Sequence, residues 1–238
     1  MSSARTIKAN TDSVHLALAQ LLRLASPALP VGAYSYSQAL EWAVESGQVC
    51  DSESAARWIL DSLRLNFARC EAPVWVRLYS ACARGESAEF SRWNDFFVAT
   101  REASELRAET LQMGKSLGSL LLQGSELPKP HRGLLENISA LSYPAAFACA
   151  AAGLNIAARA ALTGYLFSWA ENQVLAAVKL VPLGQIAAQN IIGQLIAELP
   201  FALDAAFECE DDDIGALSFG LAIASCRHET QYSRLFRS

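Results

Sequence analysis

Alanine and leucine dominate this chain: 42 Ala and 33 Leu together fill 75 of its 238 positions. Both are strong helix formers. The β-branched residues that fit a pleated sheet are few, with 10 Val, 10 Ile and 6 Thr, and no run alternates apolar and polar residues as a half-buried strand does. The composition therefore predicts an all-α fold, a single-domain bundle of roughly ten helices that occupies residues 1–238.

The balance of apolar and charged residues indicates a folded chain with surface to hide. Hydrophobic residues make up 52% and charged residues 18% of the chain, against roughly 45–50% and 25% in ordinary domains. Surplus apolar surface is commonly covered by an oligomer or an obligate partner. We therefore predict that the chain self-associates or binds an obligate partner.

The charge balance also restricts the kind of partner and the compartment. With 19 basic against 24 acidic residues, the chain lacks the clustered positive charge that phosphate binding requires, so we expect no nucleic-acid partner. Residues 1–13 are polar and do not resemble a signal peptide. We expect this segment to be disordered and the protein to be cytoplasmic.

Two uncharged stretches, residues 137–158 and 180–197, are long enough to cross a bilayer. The first contains Pro144, Gly153 and Asn155, and the second contains a proline and several amide side chains, which are costly in lipid without partners. We favour buried helices of a bundle over a membrane span.

Helical spacing is interrupted by two similar junctions, in which Pro30 and Gly32, and later Pro182 and Gly184, stand just before a helix. Proline fixes the direction in which the chain enters the helix, and glycine allows close backbone approach. Helices are predicted over residues 35–45 and 52–70. In residues 99–124 the charges, such as Arg101 and Glu105 at i, i+4 spacing, predict a solvated helix face stabilised by ion pairs.

The sequence contains no recognisable set of catalytic or metal-binding residues. The three histidines have no metal-ligand spacing, and the six cysteines form no CxxC pair. Nucleophile-elbow, phosphate-loop and dinucleotide motifs are missing. We expect a non-enzymatic protein with no catalytic residue, resident metal or cofactor.

Three polar groups leave other interpretations open. Cys226 and His228 could offer two ligands to a metal. Glu41 and Glu45 could share a helix face and act as a general acid, although such a pair is more often a solvated helix edge. Glu171 and Lys179 interrupt apolar helices and are either paired or directed into a water-filled passage.

The C-terminal segment, residues 227–238, combines three arginines with Tyr232, Leu235 and Phe236 at spacing that can form an apolar stripe. Arginine and aromatic residues are favoured interface anchors. The segment is too short to bury enough surface to offset the entropy cost of ordering its backbone, roughly 1–2 kcal/mol per residue. We therefore predict a tail that is mobile in the free protein and becomes ordered on a partner.

Four blocks closely resemble the signatures of the UreF family of urease accessory proteins, in family order along the chain. They are LLRLASPALPVGAYSYSQALE at residues 21–41, TRE with RAET at 100–110, AAVKLVPLGQ at 176–185 and RHETQYSRLFRS at 227–238. In the first block, Ala39 stands where the family usually has glycine.

This resemblance implies an all-α, cytosolic, non-enzymatic chaperone that forms homodimers. Such proteins bind the scaffold UreD, also called UreH, and recruit the nickel-carrying GTPase UreG, so that nickel is inserted into apo-urease. We assign GTPase recruitment to the two junctions and scaffold binding to the tail. The partner-binding residues expected are Pro30, Gly32, Tyr36, Glu41, Lys179, Pro182, Gly184, Gln185, Arg227, His228, Glu229, Tyr232, Arg234, Leu235, Phe236 and Arg237.

A second function remains possible for a helical protein of this kind. It could act as an activator that supplies an arginine to the phosphate site of the partner GTPase. Arg101, Arg107 and the tail arginines are the candidates. GTP turnover by the GTPase, measured with and without this chain and the scaffold, distinguishes the two functions.

Overall fold

The structure, a computed structural model, describes the backbone of residues 2–238 and the side chains of residues 13–238. This part of the chain contains helices and no strand, which confirms the predicted all-α bundle. The helices are α1 (Ser2–Leu24), α2 (Leu40–Glu45), α3 (Ser52–Ser62), α4 (Ala72–Arg84), α5 (Ser87–Ala99), α6 (Ser104–Gln123), α7 (Lys129–Glu136), α8 (Tyr143–Gly153), α9 (Ala158–Leu180), α10 (Gln185–Glu208) and α11 (Phe219–His228).

Helix α1 covers a segment for which the sequence predicts disorder. The backbone of residues 2–13 is helical and continuous with the remainder of α1. Met1 lies outside the described residues. The expected disorder of residues 1–13 stays a prediction.

The second helix is shorter than the predicted range of 35–45. Residues 33–35 form a 3-10 turn, and α2 begins only at Leu40. Between them, Gln38 and Ala39 have φ values of +50° and +67°, in the left-handed region that costs a residue with a Cβ roughly 1–2 kcal/mol. A glycine at position 39 would remove the strain there, so Ala39 has a local structural cost.

Residues 52–84 form one continuous helical rod that contains a π-helical segment, Leu63–Glu71, between α3 and α4. Pro73 is the second residue of α4, two positions after this segment ends. Because proline has no N–H, it cannot donate to the carbonyl of Arg69 four residues earlier. That carbonyl instead accepts a hydrogen bond of 3.1 Å from the N–H of Gly215. The proline thus frees an acceptor that holds the segment before α11 against the rod.

The core is assembled around α8, whose residues 144–153 are all buried. Six of the eleven residues of α8 are alanine. Their small side chains let neighbouring helices come close. On α6, Gly114 and Gly118 face Leu141, just before α8 begins. The uncharged stretch 137–158 is therefore a core helix, as predicted.

Among the described helices, α10 is long and apolar enough to cross a membrane by length and composition. It contains Pro200 and alternates buried with exposed positions along its length. Its inner face packs on the core through Ile191, Leu195 and Leu199. This is the pattern of a helix that lies on the outside of a bundle.

We predict that Gly114→Ala destabilises the protein by about 2 kcal/mol or more, because overpacking a rigid core site is costly. A Cβ at this position would lie 2.1 Å from the carbonyl oxygen of Leu141 and 2.6 Å from the carbonyl carbon of Ser142. Both are backbone atoms that cannot move independently. Urea unfolding monitored by circular dichroism measures the change.

Gly133→Ala in α7 is the matched control, since a Cβ there would meet nothing within 4 Å. It should leave stability unchanged or raise it by up to about 1 kcal/mol, because alanine is the better helix former. Equal effects of the two substitutions would contradict the close approach of α6 to the start of α8.

Candidate partner-binding site between the tail and the first junction

The tail, residues 227–238, packs against the first junction instead of extending from the body. The backbone N–H of Ser37 donates to the carbonyl of Ser238 at 2.7 Å, and the N–H of Arg237 donates to the carbonyl of Ser35 at 2.8 Å. The side chain of Phe236 is buried. The tail is therefore packed against buried carboxylates of the body, and its mobility in the free protein stays a prediction.

Glu41 of α2 is the first of these carboxylates. Its Oε1 accepts the backbone N–H of Leu235 at 2.5 Å, and its Oε2 accepts the N–H of Phe236 at 2.9 Å. Hydrogen bonds to a charged acceptor are roughly twice as strong as neutral ones. Two adjacent backbone donors of the tail are therefore fixed by one side chain of α2.

His228, at the end of α11, is fully buried between two carboxylates. Its Nδ1 lies 2.6 Å from Oε2 of Glu105, and its Nε2 lies 3.3 Å from Oε2 of Glu41. Arg234 of the tail binds the other oxygen of Glu105. The imidazole and the guanidinium thus connect α2, α6 and the tail.

Glu109, one turn further along α6, is buried beneath the end of the tail. Its two oxygens accept hydrogen bonds from Nε2 of Gln38 at 2.8 Å and from Oγ of Ser238 at 2.6 Å. Gln38 in turn accepts from the indole of Trp169 at 2.8 Å. Burial raises the pKa of Glu109 to about 7, and the two hydrogen bonds only partly oppose that increase.

A cavity of about 100 Å³ lies beneath this cluster, between the end of α1, α6 and α9. Glu71 and Arg101 line it and are both buried, with Nη1 of Arg101 3.4 Å from Oε2 of Glu71. The hydroxyl of Tyr165 donates to the other oxygen of Glu71. Burial raises the pKa of Glu71, and the charge of Arg101 opposes this.

The two residues expected to be paired or to line a passage have separate environments. Glu171 is half-buried and lines the cavity, and burial raises its pKa. Lys179 is exposed, and its Nζ lies 5.4 Å from the centre of the Phe236 ring. Glu171 therefore lines the cavity, whereas Lys179 contacts the tail.

The structure brings together half of the predicted partner-binding residues. Tyr36, Glu41, Lys179, His228, Arg234, Leu235, Phe236 and Arg237 meet around the tail. Other predicted residues are exposed outside the hydrogen-bonded cluster: Pro30, Pro182, Gly184, Gln185, Arg227 and Tyr232. Glu229 caps the start of α6, where it accepts from the backbone N–H and the hydroxyl of Ser104.

The two junction glycines have different roles from those that the sequence suggests. Gly32 has φ of +79°, which favours glycine, yet a Cβ there would meet nothing within 4 Å. Gly184 has φ of −72° and equally open surroundings. The expectation of close backbone approach is therefore wrong at both positions, and only Gly32 is required by its conformation.

Two predicted pairings of charged residues are also corrected. Arg101 lies before α6 and pairs with Glu71 instead of Glu105, because Glu105 is taken by His228 and Arg234. Glu41 is buried while Glu45 is exposed, so these two glutamates do not form a shared acidic pair.

The sequence did not indicate the residues of the body that bind the tail, which are Ser37, Glu105 and Glu109. Two like charges at i, i+4 spacing on α6 were the available signal, because such a pair is unfavourable on an isolated helix. Cys226 is exposed whereas His228 is enclosed. Among the described side chains, no group of three potential ligands is arranged to hold a metal ion.

Comparison with known proteins agrees with this description. The UreF family model matches residues 49–196. A urease accessory protein UreF from Azoarcus sp. (strain BH72) is 51% identical over 226 residues, covering 94% of this chain and 96% of the relative. UreF proteins of Methylobacillus flagellatus and Janthinobacterium sp. (strain Marseille) are each 48% identical, covering 93% of this chain and 97% and 98% of theirs.

The helical bundle and these matches define the class first: this is an all-α protein of the urease accessory group. Within that class, the chain belongs to the UreF family. The resemblance inferred from the sequence blocks is thereby confirmed.

We predict that Glu109→Gln stabilises the protein at pH 8 but not at pH 4. Because the pKa of Glu109 is raised from 4.5 to about 7 on folding, the native state binds more protons than the unfolded state between these values. Stability therefore falls as pH rises from 4.5 to 7, by roughly 3 kcal/mol for this group, and stays reduced above pH 7. Glutamine retains the hydrogen-bonding shape without the charge.

Unfolding free energies measured in urea from pH 4 to pH 8.5 check this. The exposed Glu102→Gln is the control and should follow the wild-type curve at every pH. A constant difference between Glu109→Gln and the wild type across the pH range would show that burial of the Glu109 charge is not the cause.

Proposed function

We propose that this chain is a cytoplasmic, non-enzymatic adaptor for urease maturation, which bridges the UreD/UreH scaffold and the UreG GTPase so that nickel reaches apo-urease. Membership in the UreF family and the names of its relatives support the urease role. The tail supports the adaptor role, because its contacts with Glu41, Glu105 and Glu109 would hold a docking segment in a fixed position.

The observation that carries the proposal is the two-sided character of the tail. Its inner side holds Phe236 and His228 in the body. Its outer side presents Tyr232 and Leu235, which are large, apolar and exposed, together with Arg227 and Arg237. Aromatic and arginine side chains on a well-supported backbone are favoured anchors for a protein partner. We assign this outer side to the scaffold.

The GTPase is assigned to the junction residues that remain accessible. Pro182, Gly184 and Gln185 are exposed at the start of α10, and Pro30 is exposed on the other junction. Tyr36 and Glu41 are buried beneath the tail, so their part in recruitment would be to hold this surface in shape. Lys179 connects the two regions, since it lies in the last turn of α9, just before the second junction, and contacts Phe236.

For the alternative in which the chain supplies an arginine to the GTPase, the structure leaves Arg227 and Arg237 exposed but holds the other candidates in place. Arg101 is buried and faces Glu71. Arg107 donates to the carbonyl of Arg101, and Arg234 binds Glu105. An arginine that inserts into a phosphate site needs a free guanidinium at the surface.

We predict that Leu235→Ala combined with Tyr232→Ala weakens scaffold binding about tenfold or more, which equals about 1.4 kcal/mol. Both side chains are exposed, so the unfolding free energy should change by less than about 0.5 kcal/mol. Co-purification with the scaffold and urease activation in cells measure the effect. Phe236→Ala is less informative, because emptying a buried site costs about 3 kcal/mol of stability.

Leu18→Ala, which removes an exposed leucine from α1, is the matched control and should leave binding unchanged. Undiminished scaffold binding by the double variant of the tail would refute the proposed docking role.

For the homodimer, the outer face of α10 is the surface we propose. Ile186, Ile196 and Phe201 are all exposed along it, and Gly193 and Ala197 lie between them with little side-chain cover. Exposed apolar side chains on an outer helix match the surplus of apolar residues in the composition. A second copy of the same face would cover it by two-fold symmetry.

We predict that Ile196→Glu lowers the molar mass at micromolar concentration from that of a dimer to that of the 25.7 kDa chain. Two glutamates facing each other across a symmetric interface would be buried without partners. Light scattering after size exclusion measures the mass. Ile223→Glu, at an equally exposed isoleucine of α11, should remain dimeric, and a dimer of Ile196→Glu would exclude this face.

A further inference from the structure

Arg101 is a buried cation with few acceptors around it. Its side chain is only 9% exposed, and its Nη1 lies 3.4 Å from Oε2 of Glu71. The guanidinium also lies over the ring of Phe97, 4.3 Å from the ring centre. Its Nε has no hydrogen-bond partner among the described residues. A guanidinium carries five N–H donors in a planar fork, so Arg101 keeps a buried donor that lacks an oxygen acceptor.

Arg101 lies between two spaces inside the bundle. One is the internal cavity, which Glu71 also lines. The other is a groove of about 80 Å³ between the π-helical segment of the rod, the loop before α6 and the start of α11. The polar side chains that line this groove are those of Asn66, Thr100, Arg101, Glu102 and Ser218. The carboxylate that pairs with Arg101 therefore belongs to the cavity and not to the groove.

The start of α11 is a second feature that favours an anion in this groove. The first four N–H groups of a helix have no acceptor within the helix, and the hydroxyl of Ser218, the residue before α11, does not cap them. Within the described residues of α11, the first turn contains no acidic side chain. Ser218, Phe219 and Leu221 line the groove. The positive end of the helix dipole and Arg101 thus face the same space.

We propose that this groove binds a phosphate group between Arg101 and the N-terminus of α11. Backbone N–H groups of α11 would donate to its oxygens from one side, and the Nε–H of Arg101 would donate from the other. Because these donors belong to different elements, a tetrahedral group with several free oxygens satisfies them better than a planar carboxylate. A water molecule needs roughly 10–15 Å³ of such space, so the groove has room for a tetrahedral oxyanion.

The charges around the groove permit such a ligand. Glu102 is the acidic residue of the groove, and it is exposed, so solvent and salt screen its charge. Glu71 balances part of the charge of Arg101, but 3.4 Å is longer than the roughly 2.7–2.9 Å of a strong charge-assisted hydrogen bond. An arginine keeps its charge at every physiological pH. The guanidinium therefore remains available to a second anion.

An occupied groove would join three parts of the bundle, which are the rod, the loop before α6 and α11. The segment before α11 is held to the rod by backbone hydrogen bonds from Gly215 to Arg69 and from Leu217 to Leu65. Because α11 leads directly into the tail, a bound phosphate would fix the helix that positions the tail. This site is separate from the surfaces assigned to the scaffold and the GTPase and does not depend on those assignments.

The test titrates the full ¹⁵N-labelled chain with inorganic phosphate at constant ionic strength and follows NMR resonances of the groove. We expect the Nε–H of Arg101 and the backbone N–H groups of Phe219 and Gly220 to shift together and to saturate, with a dissociation constant of roughly 1 mM or lower. Acetate should bind about tenfold more weakly or worse, since a planar carboxylate reaches fewer of these donors.

Phenyl phosphate distinguishes the two sources of a phosphate group. Binding tighter than that of inorganic phosphate identifies a phosphate monoester, whose organic part would pack on the exposed ring of Phe219. Equal or weaker binding identifies free phosphate as the ligand.

Ser218→Asp places a carboxylate at the start of α11 and should weaken phosphate binding about tenfold or more. The variant should fold, because aspartate is a favoured residue before a helix. Ala157→Asp adds the same charge at the exposed residue before α9, away from the groove. It is the matched control and should bind phosphate as the wild type does.

A second variant covers the case in which Ser218→Asp does not fold, as judged by its far-ultraviolet circular dichroism. Arg101→Lys keeps a positive charge opposite Glu71 but removes the planar fork, so phosphate binding should weaken about fivefold or more. The proposal is overturned if the wild-type shifts do not saturate or if acetate binds as tightly as phosphate. Unchanged affinity in folded Ser218→Asp or Arg101→Lys also overturns it.

Discussion

The arrangement of the tail depends on its hydrogen bonds to the carboxylate of Glu41. This carboxylate lies on α2, a helix of six residues that is too short to be stable alone. Three groups converge on its two oxygens: the N–H groups of Leu235 and Phe236 and the ring of His228. A charge removed from water is tolerated only when it is well paired. The tail therefore satisfies the buried carboxylate of Glu41, and that carboxylate in turn fixes the backbone of the tail. The same contacts hold the strained backbone before α2 in place.

A second buried charge group extends this dependence into the core. Glu71, Arg101 and Tyr165 form one network inside the cavity, and Trp169, Gln38 and Glu109 form another that ends on Ser238 of the tail. Because Gln38, Glu71 and Glu109 all line the same cavity, the seating of the tail and the hydration of the cavity are physically connected. A partner that moves the tail would change the polarity of a space deep in the bundle.

Residue composition predicted the helical fold because alanine and leucine act through local propensity, which every helix in the bundle expresses. The tail shows the limit of prediction from local propensity. Leu235 and Phe236 belong to the same apolar stripe, yet Leu235 is exposed and Phe236 is buried. Glu41, almost 200 positions earlier in the chain, binds the backbone N–H of both residues. Arg101 gives the same lesson, since its i, i+4 neighbour Glu105 is claimed by more distant residues. Periodicity reports neighbours within one helix and contains no information about which carboxylate lies across the core.

The hydrogen bond between Glu41 and His228 joins residues separated by 187 positions. At synthesis rates of 5–20 residues per second, the ribosome needs roughly 10–40 seconds to add the histidine after the glutamate. Throughout that interval α2 carries a carboxylate without its partner, beside two residues in left-handed conformation. The nascent chain must therefore keep this region solvated or protected until His228 has been synthesised. Completion of the first junction is in this way timed by the synthesis of a segment far along the chain.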